Sequence, residues 1–428
     1  MKSLKLIIAL GVSLVILIAS CNTKSLRIFK SSSARTQYLN TLKNSGIGTT
    51  KIGEEWKNSA SMALRNASEL EIPFAIQGSF RSKSIEAKAW KIQLEQGASI
   101  TILVNWQAND SSQLFVDLLE GVEGKELESY TIQNDSLQFE ADKTGYYMLR
   151  IQPELLGEGN FQVRISGIET YAVFPVQGKN SKAIQSVWGD ERDGGSRSHE
   201  GVDIFATRGT PVLSPVAGVV TAVRDRGLGG KQVWLRDPER DWNLYFAHLD
   251  SQLVSNLQRV NPGDTLGLVG NTGNAKTTAP HLHFGIYQNG AINPFPAIKD
   301  NFERAPELAD QQLPQLMQVN TSQANMRSKP TVKSEVVSNL KLNTPVFIKA
   351  ATSDWFQVQT ADGSIGFLSK KLLSRVDSIT LDANSIYAYT TPLEVDSIYV
   401  DLEQFHQIGL VQGLKMIRDQ DGNVLYLP

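Results

Sequence analysis

A chain of 428 residues is too long for a single ordinary hydrophobic core, so its length predicts about two to four domains. The 42 Lys and Arg residues nearly balance the 44 Asp and Glu residues, and the formal net charge is −2. Because no excess of positive charge is available to neutralise phosphates, the composition argues against nucleic acid as a partner.

The N-terminus combines two lysines, Lys2 and Lys5, with an apolar run at 6–19. That run is too short to span a bilayer whose hydrocarbon layer is roughly 30 Å thick, and it predicts a secretory signal at 1–20. It ends in "IASC", which resembles the lipobox of bacterial lipoproteins and implies lipid attachment at Cys21; the alternative is an ordinary signal with an incidental cysteine. Cys21 is the only cysteine, which excludes an intrachain disulfide.

The lipobox resemblance also implies a location in the cell envelope. Asn22 follows the cysteine, in place of the aspartate that retains many lipoproteins at the inner membrane of Gram-negative bacteria. We therefore expect a lipid-anchored protein at the outer membrane, facing the periplasm because no acidic run follows Cys21. All charged residues between Cys21 and Glu54 are basic, which predicts either an arm attracted to a polyanion or a merely solvated tether. These residues are Lys24, Arg27, Lys30, Arg35, Lys43 and Lys51.

Periodicity divides the next part of the chain in two. Residues 21–69 are interpreted as a tether and a helical segment, with good helix formers at 35–68 interrupted by Gly46 and Gly48. Residues 70–168 change to short alternating runs between turn residues, which predicts an antiparallel β-sandwich. Their last strands loosely resemble the jelly-roll modules that accompany secreted peptidases.

Four of the five histidines fall at 175–298, a segment rich in β-forming residues, glycine and proline. In "APHLHF" two of them are separated by one residue, so on a strand both imidazoles point to the same face. Adjacent buried imidazoles need polar partners, and a metal ion supplies one. A catalytic zinc takes three protein ligands, whereas this segment offers four histidines and at least one carboxylate, so spacing alone does not sort them. The candidates are His199, Asp203, His248, His281 and His283.

The stretches "HEGVD", "GTPVLSPVAGVV", "YFAHLD", "VNPGDTLGLVGNTGN" and "APHLHF" follow one another in an order that resembles the lysostaphin/LytM-type zinc endopeptidases. The resemblance implies that His199, Asp203 and His283 bind one zinc ion and that His248 and His281 are the catalytic pair. It also implies hydrolysis of peptide bonds in peptidoglycan cross-links during cell-wall remodelling.

Two other functions remain open at this point. Some relatives of these endopeptidases have lost metal ligands and act as activators of other wall hydrolases, so a catalytically silent wall-binding scaffold is the main alternative. Every motif position is present in this chain, which favours the enzyme. A secreted protease for proteins is the third possibility, and the predicted anchor argues against it.

The C-terminal third begins with a predicted linker at 299–316. Residues 317–374 resemble a bacterial SH3-like domain through "NMRSKP", the pair Trp355 and Phe356, and "DGSIGFL"; that pair is the predicted aromatic wall-binding surface. Residues 375–428 are predicted to form a β-rich extension of unknown role. The sequence therefore predicts a mainly β, multidomain chain with a jelly-roll-like sandwich, a LytM-type peptidase domain and a small SH3-like barrel, while its oligomeric state stays open.

Overall fold

The computed structural model describes residues 32–428 except 83, 122–123, 125, 133–135, 301, 310–311, 376–378, 381–385, 390–396, 401–404, 412–413, 420–423 and 428. The predicted signal and Cys21 lie outside this part of the chain. Sheets dominate the described residues, which confirms the mainly β prediction. No helix within them combines the length and the apolar character needed to cross a membrane.

Two helices precede the first sheet: α1 at Ala34–Asn44 and α2 at Lys51–Arg65, joined by a 3₁₀ turn at Ile47–Thr49. Each helix begins at a capping side chain, because the hydroxyls of Ser33 and Thr50 accept hydrogen bonds from backbone N–H groups of the first turn.

The helices pack against the sandwich. The indole Nε1 of Trp56 donates to the carbonyl of Pro153 over 2.9 Å, and Trp56 is buried against Phe115. The interpretation of the basic residues as a solvated arm is wrong for Arg35, whose Nε lies 2.7 Å from Asp117 Oδ2.

The sandwich comprises nine strands that form two facing sheets. Their bounds are β1 Ser68–Glu69, β2 Phe74–Phe80, β3 Lys88–Leu94, β4 Ser99–Ala108, β5 Leu114–Glu120, β6 Glu126–Ile132, β7 Ser136–Glu140, β8 Gly145–Pro153 and β9 Gly159–Ile168. One sheet has the order β1-β3-β8-β5-β6, and the other contains β2-β9-β4-β7. All neighbours are antiparallel except β1 with β3, and the core between the sheets includes Trp90, Ile151 and Phe161.

The histidine-rich segment folds into a second β domain. Its strands are β10 Ile184–Ser186, β11 Glu191–Arg192, β12 Arg197–Ser198, β13 Val202–Phe205, β14 Pro211–Leu213, β15 Gly218–Asp225, β16 Lys231–Asp237, β17 Trp242–Ala247, β18 Ser251–Gln252, β19 Arg259–Val260, β20 Thr265–Leu268, β21 His281–Tyr287 and β22 Ala291–Ile292. Helix α3 at Phe295–Ile298 ends the domain, and 3₁₀ turns occur at Ser181–Ala183, Asp193–Gly195 and Gly273–Ala275.

The main sheet of this domain has the order β10-β13-β21-β17-β16-β15-β19, with β22 beside β21. A smaller sheet has the order β14-β20-β18, and its residues Val212 and Leu266 belong to the same apolar core as the main sheet. Alternate residues of β13, β17 and β21, such as Ile204, Phe246 and Phe284, are fully buried in an apolar core. The opposite face of the same strands is therefore available for polar side chains.

Two polar contacts join this domain to the sandwich. Arg240 makes a bidentate ion pair with Glu140, with distances of 2.9 and 2.8 Å. The side-chain amide of Asn293 donates to Glu95 Oε2 of the sandwich over 2.9 Å. These contacts hold the sandwich at the edge of the second domain.

The SH3-like region contributes β23 Leu316–Val319, β24 Gln323–Arg327, β25 Val336–Lys341, β26 Pro345–Ala351, β27 Trp355–Gln359, β28 Ile365–Ser369 and β29 Leu373–Arg375, with a 3₁₀ turn at Lys370–Leu372. It is joined to the sandwich, because β26 pairs with β2 through Ala351 and Gln77. Side chains of Ala350 and Phe367 belong to the sandwich core.

This arrangement corrects the predicted aromatic surface. Successive residues of a strand point to opposite faces, and both faces of β27 are covered. Phe356 is 7 % exposed in the core of the SH3-like region, and Trp355 packs in part against the sandwich core. The two rings therefore do not form an exposed wall-binding patch.

The predicted linker follows the surface of the sandwich. Ala305 donates its backbone N–H to Ser166 Oγ over 2.8 Å, and the ring of Phe302 lies against Gly167. The C-terminal strands are β30 Ile379–Thr380, β31 Ile386–Tyr389, β32 Ser397–Val400, β33 Phe405–Val411, β34 Leu414–Asp419 and β35 Val424–Leu427. They form one sheet of order β30-β33-β34-β35-β31-β32, which contacts the SH3-like region through Leu316, Ile408 and Met416.

Candidate metal centre

The register of three neighbouring strands brings the predicted site residues together. In the antiparallel pairs of β21, His283 lies opposite Asp203 of β13 on one side and opposite Ala247 of β17 on the other. His281 precedes His283 by two residues and shares its face. His248 directly follows β17, and His199 stands just before β13.

Three of these side chains converge on one point. His199 Nε2 lies 3.0 Å from His283 Nδ1 and 3.1 Å from Asp203 Oδ1, and His283 Nδ1 is 3.1 Å from the same oxygen. Together they form the group of His, Asp and His whose ligand atoms could hold one metal ion.

The donor chemistry of this group fits a cation. His199 Nδ1 is 2.8 Å from the Val187 carbonyl, which can only accept a hydrogen bond, so the ring hydrogen lies on Nδ1 and Nε2 presents a lone pair. His199 Nε2 and the Asp203 carboxylate oxygen that it faces are therefore both hydrogen-bond acceptors. In tetrahedral zinc sites with bonds of about 2.0–2.1 Å, ligand atoms are about 3.3–3.4 Å apart, close to the separations here.

Side chains outside the triad hold the ligands in place. Arg192 Nη2 donates to Asp203 Oδ2 over 2.9 Å, which leaves Oδ1 directed at the two imidazoles. Ser186 Oγ lies 3.3 Å from His199 Nδ1 and donates to Asp190 over 2.8 Å. Such partners of metal ligands set ring orientation and ligand basicity.

Gly201 permits the close approach of the loop before β13 to His283. A Cβ atom at this position would lie 2.6 Å from His283 Cε1 and 2.7 Å from the Phe284 carbonyl oxygen. Non-bonded contacts of a Cβ atom in proteins are essentially never this short. Glycine is therefore required in "HEGVD" for steric reasons.

The other two histidines, His248 and His281, are held in one tautomer by backbone carbonyls. His248 Nδ1 is 2.9 Å from the Thr272 carbonyl, and His281 Nδ1 is 2.8 Å from the Ala279 carbonyl. Each ring therefore carries its hydrogen on Nδ1 and has Nε2 free for a proton. His281 Nε2 is 4.0 Å from Asp203 Oδ1, and the His248 and His281 ring centres are 5.1 Å apart.

His248 has an unusual backbone. Its φ is 62°, in the left-handed region that a side-chain-bearing residue rarely adopts. Its N–H donates to the Gly229 carbonyl over 2.9 Å, which helps to hold this conformation. Strained backbone of this kind is concentrated at functional sites.

The electrostatic environment lowers the pKa of the carboxylate and of two imidazoles. Burial acts to raise the pKa of Asp203, but hydrogen bonds and attraction from His199 and His283 outweigh it and hold that pKa far below its usual range. Burial, together with repulsion from His283 and His281, lowers the pKa of His248 to about 4. Burial also lowers the pKa of His283. The site therefore combines an ionised Asp203 with a neutral His248 near pH 7.

A groove with a volume of about 660 Å³ lies over these side chains. Its floor contains all five predicted metal and catalytic residues, and its walls include Leu228, Asn274 and Arg197. Within the described part of the chain, every residue lining this groove falls at 186–287, so the sandwich and the SH3-like region leave it open.

The structure thus brings His199, Asp203, His248, His281 and His283 into one site, whereas Trp355 and Phe356 lie elsewhere. Sequence reasoning did not identify Arg192 or the carbonyls of Val187, Thr272 and Ala279. Every residue has a main-chain carbonyl, so residue type does not show which carbonyls bind the imidazoles. Arg192 could have been suspected only as a basic residue shortly before a motif that contains a carboxylate.

Two imidazoles and a carboxylate around one point, with two further imidazoles beside them, are typical of mononuclear metallohydrolase sites. Peptidase family M23 matches residues 197–294, and the bacterial SH3 domain matches residues 322–374. The chain therefore carries an M23 peptidase domain and a bacterial SH3 domain.

Curated relatives match parts of this chain. The chain is 37% identical over 139 residues to the L-Ala–D-Glu endopeptidase of Bacillus subtilis, covering 29% of this chain and 42% of the relative. It is 30% identical over 245 residues to an uncharacterized metalloprotease of Haemophilus influenzae, covering 52% and 46%. It is 33% identical over 119 residues to the peptidoglycan DD-endopeptidase ShyA of Vibrio cholerae, covering 28% and 26%. The chain spans less than half the length of each.

Proposed function

We propose that this protein is a zinc-dependent endopeptidase that hydrolyses peptide bonds in peptidoglycan cross-links during cell-wall remodelling. The observation that carries the proposal is the convergence of His199 Nε2, Asp203 Oδ1 and His283 Nδ1 within 3.1 Å of one another on the floor of an open groove. The names of two relatives, an L-Ala–D-Glu endopeptidase and a peptidoglycan DD-endopeptidase, support the substrate class.

His199, Asp203 and His283 would hold the zinc ion. When bound, zinc supplies a Lewis acid and lowers the pKa of water to roughly 7. The chain's own contribution is to hold the three ligand atoms in place, through Arg192 on Asp203 and the Val187 carbonyl on His199.

Proton transfer falls to His248 and His281. Because the Thr272 and Ala279 carbonyls keep hydrogen on Nδ1, Nε2 of each ring can take a proton from an attacking water and return it to the leaving amine. The two rings are close enough to act on one substrate. Their burial at 8 % and 5 % exposure also limits competition from bulk water.

We further propose that lipid on Cys21 holds the protein at the outer membrane, facing the periplasm, with the SH3 domain helping to position it at the wall. The lipobox-like "IASC" and the following Asn22 support this placement. Changing Cys21→Ser should release the protein from membranes into the soluble fraction. Protease added to intact cells should leave wild type uncut, and digestion would instead place it on the cell surface.

Digestion of purified wall tests the activity. The full chain carrying Cys21→Ser and loaded with zinc is incubated with peptidoglycan, and the released fragments are analysed by mass spectrometry. New amino and carboxyl ends within cross-links are expected, and their masses identify the bond. Absence of fragments from zinc-loaded wild type, equal to a His281→Ala control, would contradict the enzyme and favour the silent scaffold.

A further inference from the structure

Three aromatic rings lie beside the metal centre on the same face of the sheet: Trp234 of β16, Tyr245 of β17 and Tyr287 of β21. We call them the aromatic shelf. The ring centres of Trp234 and Tyr245 are 4.4 Å apart, and that of Trp234 is 5.4 Å from that of Tyr287. All three residues are half-buried.

The shelf continues the floor of the groove. The ring centre of Tyr245 is 5.7 Å from that of His283, and Tyr245 and Tyr287 both line the groove. Steps of 5.7 Å and 4.4 Å lead from His283 to Trp234, at most about three residues of extended chain. A substrate with its scissile bond at the metal centre therefore reaches the shelf within a few residues.

Close backbone approach at one glycine accommodates Tyr245. A Cβ atom on Gly229 would lie 1.9 Å from the Tyr245 hydroxyl oxygen, so only glycine leaves room for this ring beneath the loop at 226–230. Despite this packing, the hydroxyl has no hydrogen-bond partner among the residues that the structure describes. A polar group is thus offered at the edge of an apolar ring inside the groove.

The chemistry of the shelf selects its ligand. Flat aromatic faces suit the apolar C–H face of a pyranose ring, and polar ring edges suit its hydroxyls, as amphipathic Tyr and Trp side chains do at other interfaces. The exposed Glu200, which also lines the groove beside Tyr287, can accept hydrogen bonds from hydroxyls and repels carboxylates. An aliphatic side chain would leave the polar edges without partners.

We propose that the aromatic shelf binds a sugar ring of the glycan strand that carries the substrate peptide. This inference rests on the proposed function and deepens it, because it requires the cleaved bond to lie within about three residues of the sugar. The substrate class is accordingly a glycan-linked peptide, and a free cross-link peptide is the poorer substrate.

Paired substrates test the shelf. The zinc-loaded full chain is given cross-linked muropeptides that retain their disaccharides and the same peptides with the disaccharides removed. Wild type should have a KM about tenfold lower for the sugar-bearing substrate, the scale of one or two aromatic contacts. Trp234→Ala should reduce this ratio to near 1, and Trp234→Phe should largely restore it.

A matched control and a binding assay keep the test decisive. Tyr146→Ala removes an exposed ring of the sandwich and should leave the tenfold ratio unchanged. Equilibrium binding of both substrates to zinc-loaded His281→Ala protein, with and without Trp234→Ala, should show the same tenfold preference and its loss. The binding assay reports on the shelf even if turnover fails.

The outcomes separate the two proposals. Hydrolysis of both substrates with equal KM, or a sugar preference that survives Trp234→Ala, would contradict sugar binding by the aromatic shelf. Neither result would contradict the proposed endopeptidase activity. A preference for the sugar-free peptide would identify the shelf as a binding site for a peptide side chain, which also contradicts sugar binding. Absence of hydrolysis with a sugar preference in binding would instead contradict the proposed activity alone.

Discussion

Two buried polar clusters in this protein differ in whether their hydrogen-bonding groups match. In the sandwich, Asp117 is fully buried and accepts hydrogen bonds from Arg35 at 2.7 Å, Arg150 at 2.9 Å and Ser129 at 2.6 Å. Arg35 also donates to Gln152 over 2.7 Å. Every contact joins a donor to an acceptor, with one buried donor, Arg35 Nη2, left without a partner among the described residues. The cluster docks α1 on the sandwich.

The cluster of the M23 domain has the opposite composition. His199 Nε2 and Asp203 Oδ1 are both acceptors, yet they lie 3.1 Å apart in a largely buried site. Such a contact is unfavourable unless a cation or a proton lies between the atoms. Burial alone therefore does not distinguish structural from functional polar clusters. The balance of donors and acceptors does.

The largest expected effect concerns catalysis at the histidine cluster of the M23 domain. His281→Ala should lower the rate of wall hydrolysis by about 100- to 10,000-fold, because a general acid–base group is lost, and zinc should be retained. Hydrolysis is followed by fragment release, and zinc by elemental analysis of the same sample. Zinc loss in this variant would mean that His281 is a ligand and that the roles are misassigned.

The Asp117 cluster of the sandwich should matter for stability and not for metal binding. Asp117→Ala leaves Arg35 and Arg150 buried without a counter-charge, so the local free energy of unfolding should fall by about 3–5 kcal/mol. Native-state hydrogen exchange of amides in β5 and β8 measures it. As a control, Lys57→Ala breaks a surface pair with Glu54 and should cost under about 1 kcal/mol. A change in zinc content on Asp117→Ala would break the comparison.

A smaller effect on zinc affinity is expected for Arg192, which donates a hydrogen bond to the ligand Asp203. Arg192→Gln removes the charged donor to Asp203 Oδ2 and should weaken zinc binding by about 10- to 100-fold, while the fold persists. Competition with a chelator of known affinity measures this change. Arg208→Gln, which breaks an exposed pair with Asp250 in the same domain, is the matched control. Equal zinc affinity in the two variants would show that Arg192 does not position the ligand.

The sequence predicted those features of the structure that depend on residues close together in the chain. The i, i+2 spacing of His281 and His283 specifies a shared face on any strand, and both side chains indeed face the groove. The ordered motifs also placed His199, Asp203 and His248 in one segment, and they meet there.

Long-range packing explains the two errors. Trp355 and Phe356 suggested an exposed surface because nothing in a strand's own pattern shows that a second domain covers its other face. Arg35 was counted with a solvated basic arm, since its partner Asp117 lies 82 residues away in sequence. Neither neighbour is visible in local composition, and pairing across domains decides both positions.

Metal content of the wild-type chain and of one ligand variant tests the central claim most directly. Purified full-length chain carrying Cys21→Ser should bind one zinc ion. The same chain with His283→Ala should bind none yet keep its circular dichroism spectrum, because the core of the domain is formed by apolar residues such as Ile204, Phe246 and Phe284. Full zinc occupancy in His283→Ala, or a wild-type chain that binds no zinc, would contradict the account.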